Sequence, residues 1–128
     1  MIGKNIGNMK IHGVKGAITV QDNSTEAIMQ ASTELLEELI HRNKINQEDV
    51  AAVFFTTSPD LTAEFPARAA REKIKWDNVP LMCSHEMDKD GALQKCIRIL
   101  IMWNTNHMQN EISHAYLRDA SILRPDIL

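Results

Sequence analysis

The apolar residues of this chain fall into four short runs of strand length, at residues 11–20, 50–57, 79–83 and 96–103. The run at 96–103 (CIRILIMW) lacks the polar alternation of a half-exposed strand, which indicates a strand buried on both faces. The run at 50–57 (VAAVFFTT) has the composition of a buried strand. Near the end of the chain, residues 112–117 and 121–123 are predicted to form two last short strands.

One segment has apolar residues at helical spacing. Its apolar stripe consists of Ile28, Ala31, Leu35, Leu36, Leu39 and Ile40, while glutamates occupy the other face. Asn23 and Glu26 have the form of a capping box at its start, although Ser24 is an equally good cap. We therefore predict a long amphipathic helix that packs on the core and ends near residues 43–46. A short second helix is predicted to start at Phe65, since proline follows in its first turn.

The order of these elements is strand, long helix, strand, short helix, and then mostly strands. It predicts an α+β fold in which a mixed β-sheet is covered on one face by one long helix. One helix cannot cover both faces of such a sheet, so we expect an oligomer in which the second apolar face meets a partner. Residues 1–9 lack any periodicity and are predicted to form a flexible leader. Residues 10–128 are predicted to form a single domain.

Composition and charge favour a globular domain and argue against nucleic-acid-binding and membrane-spanning proteins. The chain is 44% hydrophobic and 24% charged, as in an ordinary globular domain. A net charge of −3 without a cluster of basic residues argues against a nucleic-acid surface. No apolar run approaches the roughly 20 residues of a membrane span, and no signal sequence is recognisable. Cys83 and Cys96 lack the spacing of a redox or metal pair, so we expect reduced thiols and a cytoplasmic protein.

Arg98 interrupts the most apolar run of the chain. Burying an unpaired guanidinium is costly, so Arg98 needs an anionic partner, either a protein carboxylate such as Glu86 or a ligand. Metal sites are not predicted: the pair His85-Glu86 lacks a second histidine at position 89, and an EF-hand loop would require an acid where Ile97 stands. No nucleophile elbow and no phosphate-binding glycine loop occur. The sequence therefore offers charges around a pocket, with no cofactor and no metal.

The residues around Arg98 carry a family resemblance. The matching positions are Cys83, Glu86-Met87-Asp88, Gly91 and Lys95-Cys96-Ile97-Arg98. They resemble the C-x-x-E-M-D, glycine and K-C-I-R pattern of monofunctional AroH-type chorismate mutases. Further matches follow in the family's order, at residues 16–20, 57–61, 65–67, 70–72 and 123–126. The resemblance extends over residues 11–128, and many matches in one order make it specific.

The resemblance implies an isomerase that converts chorismate to prephenate by a Claisen rearrangement in the biosynthesis of phenylalanine and tyrosine. It implies a homotrimer with a barrel-like centre, sites between subunits and no cofactor. Arg98 corresponds to the arginine that reaches the ether oxygen and the side-chain carboxylate. Glu86 and Cys83 correspond to the groups that hold the ring hydroxyl, and Tyr116 to a tyrosine that contacts a carboxylate.

The same resemblance implies the remaining substrate contacts and the rim of the entrance, which comprise Lys15, Phe65, Ala67, Arg68, Arg71, Met82, Ser84, His85, Leu123 and Arg124. Lys15 departs from the family, which has an arginine there. Lysine keeps the charge but loses the planar two-pronged grip on a carboxylate. Met82 stands where a familiar member has threonine. Because a fold does not fix a function, the alternative is a trimeric small-anion binding protein on this scaffold without mutase activity.

Overall fold

The computed structural model of the protein describes residues 9–126. These residues form a five-stranded sheet in the order β3-β2-β4-β1-β5. The strands are β1 (Lys10–Thr19), β2 (Val50–Thr57), β3 (Leu81–His85), β4 (Cys96–Thr105) and β5 (Ala115–Leu117). The α-helices are α1 (Thr25–Asn43) and α2 (Ala67–Glu72), and short 3₁₀ helices span Gln47–Asp49, Gln109–Glu111 and Arg118–Leu123.

The sheet is mixed, as predicted. Strand β4 pairs antiparallel with both β1 and β2, whereas β1 with β5 and β2 with β3 are parallel pairs. The α+β class and the single long helix are therefore confirmed. The predicted leader lies outside the described residues except for Met9. Within residues 9–126, no helix is both long enough and apolar enough to cross a membrane.

Helix α1 begins with Ser24 as its cap. The Ser24 backbone is extended, and its hydroxyl oxygen accepts a hydrogen bond from the Ala27 amide at 3.1 Å. This satisfies one of the amide groups that have no partner inside the helix. The helix ends at Lys44, whose backbone is left-handed (φ 56°) and whose amide donates to the Ile40 carbonyl. Of the two caps that the sequence left open, the structure has Ser24.

Gly16 allows α1 to lie close to β1. A Cβ atom at Gly16 would stand 2.8 Å from the Ala115 carbonyl oxygen and 2.8 Å from Cδ1 of Leu35. The oxygen belongs to the backbone of β5, so it cannot move without disturbing the β1–β5 pairing. The glycine is therefore required for close packing of the helix and the strands.

We expect Gly16→Ala to lower the free energy of unfolding by about 1–3 kcal/mol, the usual range for overpacking a tight interior. Urea denaturation monitored by circular dichroism measures this change. Gly13→Ala is the matched control, since its added Cβ would meet only the mobile Cδ1 of Leu100, at 3.3 Å. Equal stability of the two variants would contradict the packing argument.

Strand register decides which residues share a face of the sheet. The row Ser84, Thr56, Arg98, Ala17 and Tyr116 crosses all five strands at paired positions. Paired residues point to the same side, and next neighbours along a strand point to the other. Helix α1 packs on the opposite side, so this row lies on the face that no α-helix covers, which we call the uncovered face. The 3₁₀ helix Arg118–Leu123 packs on one end of it.

The uncovered face is apolar over much of its area. Its exposed hydrophobic side chains include Ile11 (52%), Phe54 (41%) and Met82 (64%). Along β4, residues on the helix side such as Ile99 are buried, whereas Arg98 and Leu100 on the uncovered side are only half-buried. The predicted burial of this strand on both faces is therefore wrong for a single chain.

The end of the chain differs from the prediction. The strand predicted at 121–123 is wrong, because these residues belong to the 3₁₀ helix Arg118–Leu123. Arg118 has a left-handed backbone (φ 55°), and its guanidinium donates to the Thr19 carbonyl at 3.0 Å. The Asp119 amide donates to the Thr19 hydroxyl oxygen at 3.2 Å. These bonds curl the segment over the end of β1, so it cannot continue as a strand.

Candidate active site

Arg98 and Glu86 form an ion pair on the uncovered face. Nη1 of Arg98 lies 3.5 Å from Oε2 of Glu86, and the arginine side chain is 25% exposed. Glu86 follows β3, where its amide donates to the Thr57 carbonyl at 2.7 Å, and the Thr56 hydroxyl is 3.5 Å from the same carboxylate oxygen. A tightly bonded pair would be shorter, near 2.7–2.9 Å. Arg98 therefore has a protein carboxylate as partner and retains N–H groups for a ligand.

A small apolar cluster lies beside Arg98. Ala17, Cys96 and Ala120 are buried in it, and Tyr116 and Leu123 pack against it. Burial raises the pKa of the Cys96 thiol, and the neighbouring Arg98 charge opposes this rise. Cys96 is therefore a neutral thiol at physiological pH. It belongs to the apolar cluster and is not a nucleophile.

Lys15 lies on the same face as Arg98, since Ala17, two residues further along β1, is paired with Arg98. Its side chain is exposed. Arg124 is held by Asp126, with Nη2 to Oδ2 at 2.8 Å, and also contacts Tyr116. We call Lys15, Glu86, Arg98, Tyr116 and Leu123 the β4 group.

His114 supports Lys15 from the start of β5. The Lys15 amide donates to Nδ1 of His114 at 3.0 Å, which requires that this nitrogen be unprotonated. Burial lowers the pKa of His114, and the charges of Arg124 and Lys15 lower it further. Arg42 on α1 donates to the His114 carbonyl at 2.7 Å, so a third cation lies nearby.

We expect acid to destabilise the fold through His114. Its pKa in the folded protein lies below the ordinary value of about 6.5, so the unfolded chain binds more protons as the pH falls below that value. The stabilisation is present above pH about 6.5 and is lost as the pH falls through the lower folded value. Unfolding in urea at a series of pH values measures this loss. His114→Asn, which offers an amide oxygen near Nδ1 and does not titrate, should reduce the dependence, and an identical pH profile would contradict it.

A second set of predicted site residues lines a groove on the other side of β3. Cys83 is paired with the buried Phe55 and packs against the main core. The groove has a volume of about 380 Å³ and lies between β3 and the loop that carries Phe65. Burial raises the pKa of the Cys83 thiol, against the opposing effects of a hydrogen bond from the Ala67 backbone and the charge of Arg71. Cys83 is thus a neutral thiol that can form hydrogen bonds.

The arginines of α2 differ in their surroundings. Arg68 bonds Glu64 at 2.6 Å and Glu72 at 2.7 Å, and its guanidinium holds the pKa of both carboxyl groups below the usual range. Its charge is therefore neutralised locally. Arg71 is exposed and makes no salt bridge within residues 9–126. We call Phe65, Ala67, Arg71 and Cys83 the groove group.

One chain does not bring the two groups together. Arg98 is paired with Thr56, whereas Cys83 is paired with Phe55, so their side chains leave opposite faces of the sheet. Glu86, three residues after Cys83, contacts Arg98 and Thr56, whereas Cys83 packs against the main core. Three further predicted contact residues are also divided between the faces. Met82 and Ser84 are on the Arg98 side, and Nε2 of His85 lies 3.2 Å from the Leu61 carbonyl at the groove.

Sequence reasoning missed two residues that contact the site. Thr56 hydrogen-bonds Glu86, and His114 holds the backbone of Lys15. The signal for Thr56 was two threonines at the end of an otherwise apolar strand, where a polar side chain on the uncovered face is unexpected. His114 had no recognisable signal, because its partner is 99 residues away in the sequence.

The fold is a small α+β domain whose mixed sheet carries the charged side chains of Lys15, Glu86 and Arg98 on one face. The family model of chorismate mutase type I matches residues 11–127, and the chain belongs to this family. The chain is 43% identical over 119 residues to chorismate mutase AroH of Bacillus subtilis strain 168, covering 93% of this chain and 94% of the relative. It is 46% identical over 118 residues to chorismate mutase AroH of Thermus thermophilus, covering 91% and 96%.

A solved structure also supports membership of this family. The chain superposes on a chorismate mutase from Clostridium thermocellum with a TM-score of 0.84 and 38% identity, covering 86% of this chain and 97% of the other. The protein is therefore an isomerase with chorismate mutase function, as the sequence predicted. These relatives give no support to a binding protein without mutase activity.

Proposed function

We propose that the protein rearranges chorismate to prephenate, a step towards phenylalanine and tyrosine, at sites between the subunits of a homotrimer. The observation that carries this proposal is the division of the predicted site residues between two faces of one sheet. A second subunit that packs on the uncovered face can add its groove group to the β4 group of the first. The two unpaired cysteines support the further proposal of a cytoplasmic location.

The chemistry requires charges and shape only. A Claisen rearrangement is pericyclic, so it needs no nucleophile, no proton transfer and no cofactor. The protein lowers the barrier by holding the reactive conformer of the substrate and by placing charges where the transition state becomes polarised. Two neutral thiols and the Arg98–Glu86 ion pair suit this chemistry.

Four residues of the β4 group have a role in this proposal. Arg98 directs its unused N–H groups at the ether oxygen, where negative charge grows in the transition state. Glu86 orients Arg98 through the 3.5 Å ion pair and accepts a hydrogen bond from the ring hydroxyl. Lys15 and Tyr116 bind carboxylates of the dianion. When a second subunit excludes water, these interactions become stronger than they are in solvent.

The apolar surface of the sheet supports the proposed trimer. Phe54, Met82 and Ile11 leave large hydrophobic areas exposed on the face that carries Arg98. Contiguous apolar patches on a folded domain are typical of protein interfaces. Three sheets that meet through this face form the proposed barrel-like centre. Sedimentation at micromolar concentration tests it, and a stable, active monomer would rule it out.

The decisive test of the reaction uses the purified protein. Loss of chorismate absorbance together with the appearance of prephenate demonstrates turnover. If the folded protein gives no turnover at millimolar chorismate, the proposed reaction is wrong and only ligand binding remains.

A mixing experiment tests the shared site. We expect co-expressed Arg98→Ala and Arg71→Glu chains to form mixed trimers that regain activity, although each variant alone has little. One protomer then contributes an intact β4 group and its neighbour an intact groove group, so each mixed trimer has one complete site. Two different affinity tags allow the mixed species to be purified and assayed for prephenate.

The control pairs Arg98→Ala with Lys15→Glu. Both changes damage the β4 group, so no arrangement of these chains can form a complete site. Absence of recovery in the first pair would place the whole site within one chain. Recovery in the control pair would mean that Lys15 and Arg98 act from different chains, which would contradict the proposed division of the site.

A further inference from the structure

The wall of the groove is tied to the start of α1 by Asn23. Oδ1 of Asn23 accepts hydrogen bonds from the amides of Thr62 at 3.0 Å and Ala63 at 2.9 Å. Nδ2 of Asn23 donates to the Thr62 hydroxyl oxygen at 2.9 Å. The Thr25 hydroxyl adds a longer bond to the Ala63 carbonyl at 3.4 Å. The loop between β2 and α2 is therefore clamped at residues 62–63.

These bonds are not explained by the helix itself. Ser24, not Asn23, caps α1, so the Asn23 side chain is available for partners 39 and 40 residues away. The amides of Thr62 and Ala63 lie in a loop, where no strand partner accepts them. Backbone amides need an acceptor, and one carboxamide oxygen supplies it to both.

The clamped loop bears directly on the groove. Residues 61–66 form one wall, with Phe65 at 67% exposure, and Cys83 and His85 lie in the other. His85 contacts the Leu61 carbonyl at 3.2 Å, so the two walls are linked at their inner end. Asn23 fixes the outer end. The position of Phe65 relative to Cys83 therefore depends on both attachments.

We propose that Asn23 is a positioning residue for the substrate: it clamps the loop wall and so holds the groove ready for the ring of the bound molecule. The inference rests on the proposed function, because it assumes that this groove completes the site of a neighbouring subunit. Without the clamp, the loop samples more conformations, and substrate binding must then order it. Loss of the clamp therefore weakens substrate binding rather than slowing the chemical step.

The test compares Asn23→Ala with Asn23→Asp. Asn23→Ala removes both acceptor bonds and should raise KM by about three- to tenfold, while kcat stays within about twofold. Asn23→Asp keeps an oxygen for both amides and should restore KM to nearly the wild-type value. The same KM in wild type and Asn23→Ala, or an Asn23→Asp variant as impaired as Asn23→Ala, would overturn the proposal.

Two matched controls separate positioning from stability. Ser24→Ala removes the helix cap one residue away but leaves the clamp, so it should lower stability without a change in KM. Thr62→Val removes only the bond from Nδ2 and should alter KM less than Asn23→Ala does. A KM increase for Ser24→Ala as large as that for Asn23→Ala would attribute the effect to general destabilisation and overturn the proposal.

Amide hydrogen exchange makes the clamp testable apart from turnover. The amides of Thr62 and Ala63 should exchange faster in Asn23→Ala than in Asn23→Asp, because only the former lacks the acceptor oxygen. Equal rates would overturn the clamp even in an active enzyme. If the wild-type protein does not convert chorismate, the proposed function fails, while the exchange rates still decide whether Asn23 holds the loop.

Discussion

Replacing Arg98 with alanine should lower kcat by at least about 10²-fold, the scale for removing one preorganised donor to a transition-state oxygen. The guanidinium is only 25% exposed in one chain and lies 3.5 Å from the Glu86 carboxylate, so its position is partly set before the substrate binds. Its charge-stabilising role belongs to the transition state, so KM should change less than kcat. Steady-state kinetics on chorismate measure both values.

Arg98→Lys is the matched variant. It keeps a positive charge near Glu86 but lacks the planar fork, so its kcat should lie between those of the wild type and Arg98→Ala. Circular dichroism and sedimentation confirm that each variant is folded and assembled. Near-normal turnover in folded Arg98→Ala would refute the catalytic assignment.

Replacing Lys15 with alanine should lower kcat/KM by about ten- to a hundredfold, the equivalent of roughly 1.5–3 kcal/mol for one charge-assisted hydrogen bond. Lys15 is exposed on the same face as Arg98, and His114 fixes its backbone. Lys15→Arg should do the opposite and lower KM by a few-fold, because the guanidinium can offer two hydrogen bonds to one carboxylate. Steady-state kinetics of both variants test the pair of expectations together.

A different outcome for the Lys15 variants would point to another cation as the ligand of the substrate carboxylate. If Lys15→Ala is silent while Arg98→Ala is severe, Lys15 points to solvent and another cation binds the carboxylate. Arg71 and Arg124 are then the first candidates. Arg124 is already bonded to Asp126, whereas Arg71 has no such salt bridge within the described part of the chain, so Arg71→Ala should be made first.

The apolar pattern located most elements of this fold. Strand β2 was predicted with its observed bounds, and β4 starts at Cys96 as predicted. These segments are continuous hydrophobic runs of strand length, so their starts are visible in the local sequence. The short elements were less predictable. Strand β3 begins at Leu81 rather than at residue 79, and β5 is limited to Ala115–Leu117.

Two features near the site show why local pattern was insufficient. Asn23 has the sequence form of a helix cap, yet its side chain serves a loop about 40 residues away. The strand predicted at 121–123 is curled into a 3₁₀ helix by bonds from Arg118 and Asp119 to Thr19. In both places a long-range hydrogen bond outweighs the local preference, and a sequence window cannot contain both partners.

The sequence by itself determined the family, the α+β class, the long helix and the chemical types of the candidate site residues. Only the tertiary structure decided which of these site residues lie on the same face of the sheet. Cys83 and Arg98 are on opposite faces because β2 lies between their strands and pairs Phe55 with one and Thr56 with the other. A shift of one residue in the pairing of β2 with β3 or with β4 would move Cys83 or Arg98 to the other face of the sheet. The register of these pairings is set by contacts between strands that are far apart in the chain.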